Sequence, residues 1–543
     1  MSDNIIDEPN VSLSIISADV PVENAAQKIL VVGQMITAGV GQGTAVPATA
    51  ALPNLYPNIK NDGSENAMFG AGSQLAMLIR KIKQVAPQVR VDAMPIADNG
   101  VVKTSLNIVL LGIPTESGSL TVCAGGFNEF RYNIPITANM PIADIASAIK
   151  DKITADVNSP FDATSSAGTV ALIAKNAGTW GRQLPVWVQQ TGTIQSDRIA
   201  GIAQIQVALQ VNGAGDPVLT TAFFSQLSTV RYQGIVCNSD CYDELAVWAD
   251  LRFNTDNSVL DGVVFSGFQG TAAQVTAEAE GKNNKSLVIF CDELLTVGQT
   301  SGQRPDPFVG PTNQNPPLIQ AAWFAAVRAL RLTTDASIGR YLTTSSPNDQ
   351  FGGPSMATLP YHNTNAPQLA TTYSDIGFGF TPIEMENIKT AGGSVIGTNR
   401  TGTNAICGEV QTTFKTDPAG NPDPSFKYLN YVDTTSNSRE YFFNNYKKRY
   451  AQSRLTEGAI QYGRDMVNQL SFEAYTDSLY ATQTLTDLLL LQGGQAAVDF
   501  FKANRIVTLD MLNGKISVNM KIPIITQVRN IIGTVKIAFS TEG

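Results

Sequence analysis

Residues 28–43 read KILVVGQMITAGVGQG, and this stretch sets the class of the fold. Its first part, about 28–33, is an apolar run rich in β-branched residues, which predicts a buried strand. Gly39, Gly41 and Gly43 follow the strand, as in a dinucleotide-binding loop. The glycine spacing departs from that motif, and prolines stand where its helix would begin. We therefore expect a strand that runs into a long loop without a phosphate site.

A helix and a second strand follow this loop. The segment AMFGAGSQLAMLIRKIKQVAP predicts a helix closed by Pro87, because its apolar residues recur at steps of three and four: Leu75, Leu78, Ile79 and Ile82. RVDAMPI then predicts a strand. Residues 21–100 are thus interpreted as the first part of an α/β body.

The pattern of apolar and turn residues changes between residues 101 and 191. Short apolar runs such as TSLNIVLLG, GSLTVCAG, FRYNIPI and GTVALIAKN are separated by turn residues, with one helix, MPIADIASAIKDKITAD, among them. This pattern predicts an inserted β-rich outer domain whose own core includes Trp180 and Trp187. Residues 192–412 resume the α/β pattern and form the second part of the body.

The remaining segments are a loop, a C-terminal domain and two termini. TFKTDPAGNPDPSFKYLNYVD, within residues 413–435, predicts a rigid connecting loop, because Pro, Gly and Asp each favour turns. Residues 436–543 are expected to form a domain of helices with a β-hairpin. Alternating apolar residues predict strands in an N-terminal arm, 1–20, and near the C-terminus: Val11, Leu13, Ile15, Ile516, Val518, Met520, Ile522, Val535, Ile537 and Phe539. The whole is a multidomain protein of the α+β and α/β classes with mixed sheets.

Composition limits the possible functions. The 543 residues carry a net charge of −9, which argues against a nucleic-acid partner, and only 15% of residues are charged. Such a neutral polar surface suits self-association. No stretch approaches 18 consecutive apolar residues, and the acidic start MSDNIIDEPN lacks the features of a signal peptide. We expect no membrane insertion and assembly in a cytoplasm.

Candidate catalytic and metal-binding residues are few. The chain has one histidine, His362, so a site with two histidine ligands is excluded, and a solvated or capping role is the alternative to a base. Cys237 and Cys241 are the closest of five cysteines, without a second pair beside them. Buried thiols are favoured over a metal or redox site. We predict no catalytic, cofactor-binding or metal-binding residues, and an α/β enzyme remains the competing class.

Several motifs together resemble a known family. The strand ending LVVGQ, then FGAGSQLA opening a helix, then the inserted β-rich segment, and far downstream TTFKTDPAGNPDPSFKYLNYVDT leading to YKKRYAQ, are similar in their order to contractile-tail sheath proteins of myophages, especially the Mu-like branch. The resemblance extends over both halves of the chain. A sheath of a tailocin or another contractile injection system is an open alternative.

The resemblance implies a structural role in a virion tail without a cofactor. It implies hexameric rings stacked around a tail tube, contraction that drives the tube through a host envelope, and contacts with the tube, baseplate and tail-terminator proteins. The alternating terminal strands are then expected to pair between subunits, although pairing within one subunit fits the pattern equally. The basic residues Lys447, Lys448 and Arg449 are expected to face the tube, and a solvated helix face is the alternative.

Overall fold

The computed structural model describes residues 27–524, apart from short gaps and the longer segments 254–259, 296–307, 334–379 and 485–490. Its strands are β1 (Lys28–Gln34), β2 (Arg90–Ile96), β3 (Lys103–Gly112), β4 (Gly118–Ala124), β5 (Arg131–Ile136), β6 (Phe161–Ser166), β7 (Thr169–Ala177), β8 (Val186–Gly192), β9 (Ile202–Val211), β10 (Gly234–Val236), β11 (Val263–Gly270), β12 (Leu287–Leu295), β13 (Phe308–Pro311), β14 (Ser394–Thr398), β15 (Asn404–Ile406), β16 (Arg454–Leu455), β17 (Met466–Val467), β18 (Ile506–Asp510) and β19 (Lys515–Asn519). Its helices are α1 (Ser64–Phe69), α2 (Gln74–Val85), α3 (Ile142–Ala155), α4 (Tyr242–Phe253), α5 (Ala272–Glu280), α6 (Pro317–Thr333), α7 (Pro382–Thr390), α8 (Leu429–Tyr450), α9 (Gln469–Gln483) and α10 (Gln495–Asn504).

A parallel sheet forms the centre of the body. Its strands lie in the order β2, β1, β10, β11, β12, β14, and each neighbouring pair is parallel. Helices cover both faces, with α2 and α6 in one buried cluster and α4, α5 and α7 in the other. Parallel strands covered in this way are expected to be continuously apolar, as KILVV is. The predicted mixed α/β class is confirmed.

The predicted helix after the first loop is present as α2. Ser73 caps it, because its Oγ accepts a hydrogen bond of 3.2 Å from the N–H of Ala76, and the helix ends at Val85, two residues before Pro87. Its four predicted core residues are fully buried: Leu75, Leu78, Ile79 and Ile82. The apolar period therefore identified the inward face of this helix correctly.

The inserted segment contains two antiparallel arrangements. One is the four-stranded sheet β6-β7-β3-β9, and the other is β5-β4-β8, which β13 joins to the edge of the body sheet through β12. Because β9 pairs along β3 from Ser105 to Gly112, the predicted boundary at residue 191 cuts through this sheet, which extends to Val211. Of the two tryptophans expected in a core of this segment, Trp180 belongs to the same buried cluster as Ile29 and Leu75 of the body, and Trp187 is buried as well.

The C-terminal module comprises α8, α9, α10 and the hairpin β18-β19. The hairpin pairs Ile506 with Asn519 and Asp510 with Lys515 in an antiparallel register. Helix α8 begins at Leu429, so the last part of the predicted connecting loop, 413–435, is helical. The segment YLNYVD contains polar residues that are typical of a turn. It packs against the body nonetheless, and Leu429, Val432 and Asp433 are buried.

Candidate functional site

The carboxyl edge of the parallel sheet, where α/β folds bind ligands, is filled by the inserted segment. Gln34 at the end of β1 donates from Nε2 to the carbonyl of Ala177 at 3.1 Å and to Oδ1 of Asp98 at 3.3 Å. Asn238, just after β10, accepts from Nε2 of Gln183 at 3.2 Å. Side chains of the chain itself therefore occupy the crevice in which an enzyme of this class would hold its substrate.

The N-terminus of α2 is closed in the same way. A dinucleotide fold would place phosphate there, against free backbone N–H groups. Here the N–H of Gln74 donates 2.8 Å to Oδ1 of Asn176 on β7, and Nδ2 of Asn176 donates to the carbonyl of Met35. Gly43 has a packing role, because a Cβ there would lie 2.3 Å from the carbonyl oxygen of Met68. The N–H of Gln74 and the loop after β1 are thus held by groups of the chain itself.

Other chemistry-bearing residues are placed apart or buried. Cys237 and Cys241 are buried, and burial raises the pKa of the Cys291 thiol to about 12, which keeps it protonated and unreactive. No trio of His, Cys, Asp or Glu in the described part of the chain is arranged to hold a metal ion. None of the helices described there is long and apolar enough to cross a bilayer. His362 lies outside the described residues.

The connecting loop is fastened to the body along its first half. Asn283 accepts at Oδ1 from the N–H groups of Lys415 and Thr416, at 2.7 and 3.2 Å. Nζ of Lys415 donates to the carbonyls of Ala279 and Glu280 at the end of α5, and to that of Ala391 after α7. The cation thus satisfies carbonyls at two helix ends, where the helix dipole favours positive charge.

The tip of this loop is an Asx turn. Asp417 accepts at Oδ1 from the N–H groups of Ala419 and Asn421, at 2.9 and 2.8 Å, and Gly420 has a φ of 85°. A second carboxylate, Asp423, accepts from the N–H of Ser425 at 2.8 Å. The two Asp-Pro pairs therefore build a loop of fixed shape, as the turn chemistry predicts.

Past this loop, α8 meets the body through a buried ion pair. Nε of Arg328 lies 3.0 and 3.1 Å from the two carboxylate oxygens of Asp433, and Nη1 donates 2.8 Å to the carbonyl of Gln233. Both side chains are 5% exposed, so each charge depends on the other. Sequence reasoning missed this pair, although an arginine in the otherwise apolar WFAAVRAL signals a buried partner.

A second arginine extends this contact by one and two turns of α8. Arg231 donates to Oγ of Ser436 at 2.7 Å, lies 3.6 Å from Asp261 and pairs with Glu440. Arg439 donates to the carbonyl of Phe253, and its guanidinium lies 5.0 Å from the ring of that residue. We name the contacts of Arg231 and Arg328 with α8 the ion-pair seam. It holds the first half of α8 against the body.

The predicted tube-facing residues lie in the last turn of the same helix. Lys447, Lys448 and Arg449 are exposed, and cations are favoured at a helix C-terminus. The Arg449 guanidinium lies 4.5 Å from the ring of Tyr475, whereas the two lysines make no ion pair with any described residue. The structure thus presents two unpaired lysines at this end of α8.

An aromatic cluster supports that basic end. Tyr446 lies 4.7 Å from Phe472 between ring centres and hydrogen-bonds through its hydroxyl to Thr476 at 2.9 Å. Tyr480 stacks on Phe501 at 4.2 Å with an interplanar angle of 7°. These rings join α8 to α9 and α10, so the basic residues lie on a packed base.

The predicted terminal strands are described only in part. Ile516 and Val518 lie on β19, where they are half-buried against the cluster of Val467, Phe472 and Val507. Met520 and Ile522 follow the strand and pack on the cluster around Phe442. Four of the C-terminal apolar side chains therefore contact their own module. The others lie outside the described residues: Val11, Leu13, Ile15, Val535, Ile537 and Phe539.

The backbone of β19 has one edge in use. That edge pairs with β18, and the other edge pairs with none of the strands in the described segments. An exposed strand edge is a template for an additional strand. The second backbone edge of β19 is therefore open in the described part of the chain, while its apolar side chains contact their own module.

Comparison with known proteins identifies one curated relative and a similar structure. The chain is 23% identical to the Mu-like prophage FluMu tail sheath protein of Haemophilus influenzae over 270 residues. This match covers 48% of this chain and 50% of the relative. A crystal structure of a sheath tail protein from Listeria innocua matches over 92% of both chains, with a TM-score of 0.41 and 9% identity. No protein-family model matches. The chain spans about half the length of the curated relative it matches, and the resemblance to Mu-like tail sheath proteins that its motifs predict is confirmed.

Proposed function

We propose that this chain is a structural tail sheath subunit that polymerises as stacked hexameric rings around a tail tube. Contraction of the rings drives the tube through the host envelope during genome delivery, and the subunit belongs to the virion tail. The relationship to the Haemophilus tail sheath protein over 270 residues is the observation that carries this proposal. Baseplate and tail-terminator proteins are the further partners.

The structure supports a mechanical role more than a catalytic one. The carboxyl edge of the parallel sheet is filled by Gln183 and Asn176 of the inserted segment, so that the usual ligand crevice is closed. The connecting loop and the ion-pair seam fix α8 against the body. A subunit built in this way transmits force between its surfaces with little internal deformation.

Electron microscopy of the overexpressed, purified chain tests the proposal. We expect negatively stained tubes or rings, which form more readily as protein concentration rises. A chain that stays monomeric at all concentrations and salt conditions would contradict the sheath function. A turnover screen on the same preparation addresses the competing enzyme class.

We propose that subunits are linked by added strands. Val11–Ile15 and the segment from Ile516 to Phe539 make sheet contacts between subunits, and the open edge of β19 supports this idea. Deleting residues 1–19 should leave a folded, soluble chain that forms no tubes. Circular dichroism checks folding and microscopy checks assembly; normal tubes from the truncated chain would rule out strand donation by the N-terminal arm.

We propose that Lys447, Lys448 and Arg449 register the sheath on acidic groups of the tube protein. Each exposed pair contributes only about 0 to 1 kcal/mol, so contacts repeated around a ring hold the tube and still release together. Replacing all three by Glu should weaken co-sedimentation with tube protein, most strongly at low salt where repulsion is least screened. Lys150→Glu on α3 of the inserted segment is the matched control. Unchanged tube binding by the triple variant at low salt would refute the contact.

A further inference from the structure

Two exposed apolar patches lie far apart in the sequence and have opposite neighbouring charges. The first is on α4, where Val247 and Leu251 lie four residues apart on one face. Val247 is 54% exposed and Leu251 73% exposed. None of the described elements packs on this row, which we name the α4 stripe.

The α4 stripe stands on a fixed base. The opposite face of α4 is buried through Leu245, Ala246 and Ala249. Beside the stripe, the Trp248 ring lies 4.1 Å from the guanidinium of Arg252 and 5.6 Å from the ring of Phe224. A surface helix normally carries polar residues on its outer face. The apolar outer face of α4 therefore indicates a contact with another molecule.

The second patch is the turn between β18 and β19. Leu512 is 93% exposed and Met511 40% exposed. The turn around them is held by Asp510, whose Oδ1 accepts from the N–H of Asn513 at 3.1 Å and whose Oδ2 accepts from its Nδ2 at 2.7 Å. These bonds hold the turn that carries Leu512, and Met511 and Leu512 together make its tip apolar and exposed.

The charges beside the two patches are complementary. Glu244 borders the α4 stripe and Lys515 borders the turn, and neither makes an ion pair with a described residue. The wider sequence has the same polarity. Residues 436–543 contain 12 Lys and Arg against 9 Asp and Glu, whereas residues 1–435 contain 25 against 37. Opposite net charges favour contact between the C-terminal module of one copy and the body of another.

We propose that the β18-β19 turn of one subunit docks on the α4 stripe of a second copy of this chain. Leu512 packs against Val247 and Leu251, and Lys515 pairs with Glu244. The contact joins two different surfaces, so it repeats from subunit to subunit and produces a ring or a helix. It rests on the proposed self-assembly and adds the surfaces that meet in it.

Cysteine cross-linking tests the contact directly. Chains carrying Leu512→Cys and chains carrying Leu251→Cys, distinguished by tags and prepared with Cys407→Ser, are mixed and oxidised. The four described native cysteines are buried and do not compete. Ile194→Cys, 80% exposed on the inserted segment, is the matched control partner for both. We expect a 512–251 heterodimer at about ten or more times the yield of either control pair, because docking raises the effective concentration.

Three results would overturn the proposal. One is an equal yield for the docked and control pairs. Another is slow alkylation of Leu251→Cys relative to Ile194→Cys in dilute monomer, which would mean that the chain covers its own stripe. The third is cross-linking of Leu512→Cys to the tube protein in place of Leu251→Cys.

Charge exchange supplies an independent measurement. Glu244→Lys and Lys515→Glu should each raise the concentration needed for assembly about tenfold, and the two together should restore it. Additive losses without restoration would contradict the pairing. Sedimentation of the same samples separates the two proposals: absence of any polymer refutes the sheath function, whereas a specific 512–251 dimer without polymers still supports the contact.

Discussion

The body is joined to the rest of the chain at two junctions that use different chemistry. The inserted segment is joined mainly by a shared apolar core and by hydrogen bonds such as that from the N–H of Gln74 to Asn176. Arg80, Lys175 and Asp98 take part in this junction too, each through a hydrogen bond to an uncharged group. The C-terminal module is joined by charges, with Arg328 on Asp433 at its centre. Salt screens a buried ion pair much less than an exposed one, and the loss of one partner leaves an uncompensated buried charge. The comparison therefore separates a junction built mainly on apolar packing from one centred on a buried charge pair.

The largest effect is expected at the charged junction. Asp433→Ala leaves the Arg328 charge buried without its carboxylate, and such losses cost about 3–5 kcal/mol. Unfolding in denaturant measures the change. Asp151→Asn, which breaks the exposed pair with Lys150, is the control and should cost under about 0.5 kcal/mol. The double variant Arg328→Met with Asp433→Leu should recover most of the loss. Equal losses in all three variants would contradict the role assigned to the buried ion pair.

A smaller loss of stability is expected at the junction between the body and the inserted segment. Asn176→Ala leaves the N–H of Gln74 buried without an acceptor, which costs about 1–3 kcal/mol. The loss should be the same at low and high salt, because the substitution removes no charge. Thr164→Ala, exposed on the neighbouring strand β6, serves as the control. A salt-dependent loss for Asn176→Ala would contradict the assignment of this contact as a neutral hydrogen bond.

A loss at the lower end of this range is expected at the connecting loop. Lys415→Met removes one donor from three carbonyls at the ends of α5 and α7, and we expect a loss of about 1–2 kcal/mol. Burial lowers the pKa of Lys415 below its usual 10.5, so the folded state releases this proton first. In the wild type its contribution to stability therefore rises with pH between the lowered pKa and 10.5. Lys415→Met should abolish that rise, while Lys60→Met should preserve it.

The smallest effect concerns a carboxylate within the inserted segment. Hydrogen bonds from the N–H of Ala200 and the hydroxyl of Thr193 lower the pKa of Glu116 below 4.5. A lowered pKa in the folded state stabilises it above the unfolded pKa, and this contribution is lost as pH falls through the folded value. Glu116→Gln should flatten the acid side of the stability curve. Thr164→Ala, which removes no ionisable group, should leave that side unchanged.

Sequence reasoning predicted local elements well and distant partners poorly. The apolar period of KILVV and of Leu75 to Ile82 is strong because these segments face a core at every expected position. The pairing of Arg328 with Asp433 joins residues 105 positions apart, and periodicity carries no information on such partners. The strand β9 was separated from its sheet for the same reason, since it lies beyond the helix and loops that follow β3.

The start of α8 was missed for a local reason. Turn residues dominate the sequence up to Ser425, and their signal extended the predicted loop to residue 435. The helix forms because tertiary contacts outweigh propensity: Asp433, Ser436 and Glu440 face the arginines of the body at steps of three and four. A search for acidic and hydroxyl residues at helical spacing would have found this signal.

The ion-pair seam determines the position of the distant C-terminal end of α8. Lys447 lies 14 residues after Asp433, which is about 21 Å along a helix axis. A rotation of only about 5° at the base would displace that end sideways by about 2 Å, which far exceeds the spread of about 0.5 Å in hydrogen-bond distances. Because the seam contacts α8 on successive turns, it limits this displacement. The position of the basic end of α8 is therefore set by Arg231 and Arg328 of the body, neither of which contacts that end.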